Sequence, residues 1–209
     1  SKANVAFCEN EYLLAGESFI TEKLGEYSFR ISPNSFFQTN TKQAMRRYDI
    51  VKDYADFKGD ENIYDLYCGA GTISIYLSEL VESVVGFESV QSAVQDAGEN
   101  CRLNDINNCQ FVLADLKDGI NDTRQIVSRY GRPDAIVLDP PRGGMHPKTI
   151  NAVLALAPEK IVHVSCNPTT LARELAVFCE SAYRLIKVQP VDMFPHTSHV
   201  EVVALLVKN

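Results

Sequence analysis

Two polar side chains in this sequence could act on one substrate from different directions. Cys166 follows the apolar run 160–165 (KIVHVS) and precedes Asn167-Pro168 and a helix-forming stretch at 170–180. A thiol placed just ahead of a helix N-terminus is expected to have a lowered pKa, which favours the nucleophilic thiolate. Glu201 stands where the polar loop 195–200 (PHTSHV) meets the apolar run 202–207. Partial burial there raises a carboxyl toward the range of a useful general base, with an exposed acid on an edge strand as the alternative. The other cysteines (Cys8, Cys68, Cys101, Cys109, Cys179) form no CxxC pair, so they read as reduced packing thiols and no metal site is expected. His196 and His199 share an HxxH spacing with no acid between them, and read as loop-shaping or substrate-touching residues.

A second group has the spacing of a nucleotide site. Residues 65–71 (DLYCGAG) put Gly69 and Gly71 after a strand and before a helix, where missing Cβ atoms let a ligand reach the backbone. Glu88 closes the next strand and can accept from both hydroxyls of a ribose. Asp115 closes the third and can accept from an adenine amino group, with simple helix capping nearly as good an explanation. NAD and S-adenosylmethionine both satisfy Gly, Gly and Glu. Ser74 at the third glycine position, and the absence of redox chemistry nearby, favour the methyl donor. Asp139-Pro140-Pro141-Arg142 fixes Asp139 rigidly at a strand tip. Arg142 stands where DPPY-type amino-methyltransferases carry a base-stacking aromatic, which argues against methylation of an exocyclic amine.

These residues need a scaffold that gathers strand ends. Apolar runs predict strands at 61–67, 83–87, 109–113, 135–138, 160–165, 183–190 and 200–207, with helices over 72–80, from 88 to about 104, and over 170–180. The pattern is that of an α/β fold: a Rossmann-like, mainly parallel seven-stranded sheet with helices on both faces and ligands beyond the carboxyl ends of the strands. Ahead of it, 11–31 reads as a β-hairpin region with turns at Gly16 and Gly25, and 41–57 as a helix. We expect 1–40 to be the remnant of a central domain and 41–209 the catalytic domain.

No apolar run approaches the roughly 18 residues of a membrane span and no signal peptide opens the chain, so a cytoplasmic protein is expected. A formal net charge of −7 counts against this segment gripping a long nucleic acid alone. The chain starts at Ser1 rather than Met and reads as the C-terminal part of something longer.

Five segments stand in one order over roughly residues 20–209: 35–40 (SFFQTN), 65–71, 139–148 (DPPRGGMHPK), 164–174 (VSCNPTTLARE) and 192–201 (DMFPHTSHVE). Together they resemble the bacterial RNA uridine-C5 methyltransferases, the group of the tRNA and 23S rRNA 5-methyluridine enzymes. The resemblance implies S-adenosylmethionine as cofactor and an RNA uridine as substrate, with 23S rRNA slightly favoured over tRNA. It further implies that Gln38 and Tyr67 contact the cofactor, Glu88 its ribose, Asp115 its adenine end and Asp139 its methionine moiety. Cys166 would add to carbon 6 of the pyrimidine so that carbon 5 can attack the methyl group, and Glu201 would then remove the carbon 5 proton. Full-length members usually carry an N-terminal β-barrel and an RNA-contacting region, some with an iron–sulfur cluster, so the RNA grip is expected to need that N-terminal part. An RNA cytosine-C5 methyltransferase and a catalytically silent RNA- or nucleotide-binding fragment are the alternatives.

Overall fold

The computed structural model describes residues 10–118, 120 and 122–209. A hairpin, β1 (Ile20–Leu24) and β2 (Tyr27–Ile31), leads to helix α1 (Thr41–Ala55). Then strands and helices alternate: β3 (Asn62–Leu66), α2 (Thr72–Leu77), β4 (Ser83–Glu88), α3 (Gln91–Leu103), β5 (Cys109–Leu113), α4 (Thr123–Tyr130), β6 (Ala135–Leu138), α5 (Pro147–Leu156), β7 (Lys160–Ser165) and α6 (Pro168–Ser181). Strands β8 (Tyr183–Val191) and β9 (Glu201–Lys208) close the chain.

The large sheet has the order β5-β4-β3-β6-β7-β9-β8. The first five strands are parallel, while β9 runs antiparallel to both β7 and β8. The order reverses between β3 and β6, a switch point outside which α/β sheets bind ligands. Side-chain alternation splits the core in two, as a sheet covered on both faces requires. Ile63, Val137, Val162, Val164, Val203 and Leu205 face α1, α2 and the hairpin; Tyr64, Leu66, Ile136, Leu138, Ile161 and Val202 face α5 and α6.

The hairpin is tied to α3 by side chains that imitate a strand edge. Asn104, Asn100 and Asp96 accept the backbone N–H groups of Ser28, Arg30 and Ser32 at 2.8, 2.6 and 2.8 Å. A four-residue step along a helix rises about 6 Å, close to the roughly 6.6 Å of two strand residues, so the two spacings match.

The structure differs from the sequence reading in three places. Gly16 lies in a bend with no strand before it among the described residues, so only Gly25 turns a hairpin. Helix 72–80 ends as α-helix at Leu77 and finishes in a single 3-10 turn, Ser78–Leu80. Helices α4 and α5 were not foreseen. The first is short, with no buried residue and an Asp122 cap; the second begins with Pro at its first turn, directly after the His146 cap. No helix among the described residues is long and apolar enough to cross a membrane.

Candidate active site

Strand reversal assembles the pair singled out in the sequence. Ser165 at the end of β7 pairs with Val202 near the start of antiparallel β9. Cys166, one residue beyond, and Glu201, one residue before, therefore occupy the same rim. Had β9 been parallel, Glu201 would sit at the opposite end of the sheet.

Glu201 is 4% exposed, so it is no edge-strand acid; β8 takes the edge instead. Burial pushes its carboxyl above the ordinary range, opposed by the adjacent Arg47 guanidinium. Arg47 comes from α1 and is itself 1% exposed. Its Nη1 donates to Glu201 Oε2 at 2.8 Å and its Nη2 to Asp139 Oδ2 at 3.3 Å. The Tyr48 hydroxyl lies 3.5 Å from Nη2 and 3.1 Å from Thr72 Oγ1. Nothing in the sequence marked Arg47, because a basic residue on a helix ordinarily reads as a solvated face.

Cys166 is half-buried. Burial raises its thiol, the carboxylates of Glu201 and Asp139 raise it further, and Arg142 pulls the other way. The expected lowering is thus not met. Helix α6 starts only at Pro168, where Asn167 Oδ1 accepts the Thr169 N–H at 3.1 Å, so the thiol lies outside the helix and between two acids.

The loop carrying Arg142 is held from beneath. Glu174 on α6 is buried; it accepts the Met145 N–H at 2.5 Å with Oε1 and meets His163 Nε2 at 2.7 Å with Oε2. Gly144 has φ +80°, and a Cβ there would lie 2.3 Å from Glu174 Oε1. Asn167 Nδ2 donates to the Arg142 carbonyl at 3.1 Å, and Arg142 Nη2 meets His199 Nδ1 at 3.2 Å. His199 thereby touches the rim, while Glu174 and His163 went unremarked in the sequence.

Beside this pair a cleft open to solvent is lined by Gln38, Arg47, Tyr67, Gly69, Thr72 and Asp139 among others. Tyr67 has φ +69°, a costly conformation for a bulky residue, and its N–H bonds to Phe87 O at 3.0 Å. Gly69 has φ +55° and an open approach, with only Phe36 O within 4 Å of a would-be Cβ. Gly71 does not line the cleft. Its missing Cβ instead makes room for Phe111 and Ala97, which would stand 2.9 and 3.1 Å away. Glu88 lies behind the loop: Oε2 accepts the Gly69 N–H at 3.1 Å, and Oε1 accepts those of Ser89 and Val90 at 2.7 and 2.9 Å. Asp115 is exposed and its Oδ1 accepts the Lys117 N–H at 3.0 Å, a turn-capping bond. The structure therefore gathers Gln38, Tyr67, Gly69, Asp139, Cys166 and Glu201 around one rim, with Glu88 beneath it and Asp115 toward its edge. Five cysteines are free thiols, and Cys8 lies outside the described residues.

The profile of the tRNA (uracil-5-)-methyltransferase family matches residues 5–209. The chain belongs to that family. An uncharacterized RNA methyltransferase of Chlorobaculum tepidum is 47% identical over 97% of this chain and 42% of its own length. One from Porphyromonas gingivalis is 45% identical over 100% of this chain and 45% of its own. The chain thus spans less than half the length of these relatives. The crystal structure of Pyrococcus abyssi tRNA (uracil-54, C5)-methyltransferase with S-adenosyl-L-homocysteine superposes with a TM-score of 0.78. It is 36% identical and covers 99% of this chain and 48% of the other. A more distant structure, TYW2 of M. jannaschii with AdoMet, shares the fold at 17% identity and a TM-score of 0.66.

Proposed function

We propose that this chain is the methyl-transferring part of an enzyme that methylates carbon 5 of a uridine in RNA, using S-adenosylmethionine. The observation that carries the reading is the register of β7 against β9, which sets a thiol and a buried carboxylate side by side next to the Gly69–Asp139 cleft. The residues present suit the cofactor. The open approach at Gly69 admits a ligand against the backbone, Gln38 and Asp139 offer polar groups, and Tyr67 offers a ring face. When bound there, S-adenosylmethionine supplies an electrophilic methyl group.

The chain's own groups do the rest. Cys166 Sγ, as thiolate, forms a bond to uracil carbon 6, and the electron pair of the 5,6 double bond moves into the ring as an enolate. Carbon 5, now nucleophilic, takes the methyl group. Glu201 then removes the carbon 5 proton, the double bond re-forms and the Cys166 thiolate leaves. Asp139 and Gln38 orient the donor side, and the loop at Arg142 and His199 borders the RNA side. Glu88 supports the backbone of the cofactor loop and is the proposed ribose acceptor; Asp115 is the proposed adenine partner.

Seven net negative charges on 209 residues fit a catalytic part whose RNA grip resides elsewhere in the whole protein, in the cytoplasm. The test is to digest tRNA and rRNA from a deletion strain and map the missing 5-methyluridine. Loss at one position supports the reading and names the RNA. Intact 5-methyluridine with a missing 5-methylcytidine would replace it with cytosine chemistry.

A further inference from the structure

Arg47 carries more structure than a helix residue needs. It is buried, permanently charged, and spends one nitrogen on Glu201 and another on Asp139. Its Nε is buried with no hydrogen-bond partner. A buried ion pair is no stability device in itself, since an apolar replacement of like volume is often as stable. Its position is more telling: the two acids it joins belong to the two sides of the site, the proposed proton acceptor and the proposed donor cleft.

We propose that Arg47 is a positioning residue that keeps Glu201 an oriented, ionised carboxylate, ready to accept the carbon 5 proton. The proposal rests on the functional reading above. The charged or titratable groups facing Glu201 are Arg47 from α1, Asp139 and Arg142 from the segment after β6, and Cys166 after β7, with Tyr48 against Arg47. Burial and Asp139 favour the neutral acid, which cannot take a proton; Arg47 is the nearest cation opposing them. With Arg47 on Oε2, the proton passes from carbon 5 to Oε1, and the C5–H electron pair re-forms the ring double bond and expels the thiolate. The guanidinium stays protonated throughout and keeps Asp139 paired.

The experiment separates the step that uses Glu201 from the step before it. Full-length wild-type, Arg47→Met and Arg47→Lys proteins are compared in three measurements: S-adenosylhomocysteine binding, covalent trapping by 5-fluorouridine RNA, and release of 5-methyluridine from about pH 6 to 9. Fluorine on carbon 5 cannot leave as a proton, so trapping halts before Glu201 acts. We expect Arg47→Met to trap RNA like wild type but to release product about tenfold more slowly at pH 7, within the range a general base contributes. Its acidic limb should move to higher pH, because losing a cation favours the neutral acid. Arg47→Lys should recover part of both. An Arg47→Met release profile that overlays wild type overturns the proposal. So does trapping that falls in parallel with release while cofactor binding holds, which marks a general structural defect. Should Arg47→Met fail to fold, Arg47→Lys decides alone: an unmoved acidic limb with slower trapping overturns it, a moved limb with normal trapping supports it. If wild type neither traps nor methylates RNA, the functional reading fails first.

Discussion

Ser165 and Val202 face each other across an antiparallel ladder, and that single pairing brings Cys166 and Glu201 to one rim. In the proposed mechanism the two groups act in sequence, so their variants should stop the reaction at different points. Cys166→Ala should form no covalent RNA adduct and no product. Glu201→Gln should lose about 10²–10⁴ in turnover, the usual contribution of a general base, yet accumulate a methylated adduct on ordinary uridine RNA. Denaturing gels with labelled RNA read both outcomes.

Arg142 is the cation that opposes burial and two acids at the Cys166 thiol. Because that thiol lies above its ordinary value, the thiolate fraction grows with pH, and trapping of 5-fluorouridine RNA should quicken from about pH 7 to 9. Arg142→Ala should slow trapping at neutral pH and displace the rise to higher pH, since the thiol loses a cation that favours its ionised form. A stopped-flow or quench series in full-length protein measures it.

Asp65 is fully buried under the cofactor loop. Burial pushes its carboxyl up to about 7, with Asp139 and Glu88 adding to the rise and the Ser74 hydroxyl, donating at 2.6 Å, opposing it. The folded-state value is raised, so its stabilising contribution is complete below the unfolded value near 3.8 and is lost as pH climbs through about 7. Asp65→Asn cannot ionise. Relative to wild type it should gain up to about 1.4 kcal/mol per pH unit between roughly pH 4 and 7. Urea unfolding of both proteins across that window checks the slope.

Gly144 is left-handed and stands against Glu174. Gly144→Ala should cost about 1–3 kcal/mol through strain and a clash with the buried carboxylate, visible as a lowered Tm. The same change should loosen the Arg142 loop and slow methyl transfer beyond what stability alone explains.

Much of this was legible along the chain because parallel strands buried on both faces must be apolar throughout and must stop at the rim. That is why 135–138 and 160–165 matched β6 and β7 residue for residue; 109–113 matched β5 as well, although that strand lies at the sheet edge and is only partly buried. Cys166 and Glu201 were singled out by the same logic, each flanking an apolar run, and the fold sets them on one rim. Arg47 was not, since its meaning comes from Asp139 and Glu201, 92 and 154 residues away. The thiol's raised pKa was missed for a related reason: the helix start was visible locally, whereas the two acids that outweigh it arrive only through the fold. Gly71 looked like a ligand glycine, and Phe111 of β5 gives it a packing reason.

The most direct test is to digest the adduct between full-length protein and 5-fluorouridine RNA, formed with S-adenosylmethionine, and identify the modified peptide by mass spectrometry. The thiolate mechanism requires one nucleotide attached through Cys166, bearing an added methyl group. An adduct on another cysteine, or efficient formation of 5-methyluridine by Cys166→Ala, would contradict it.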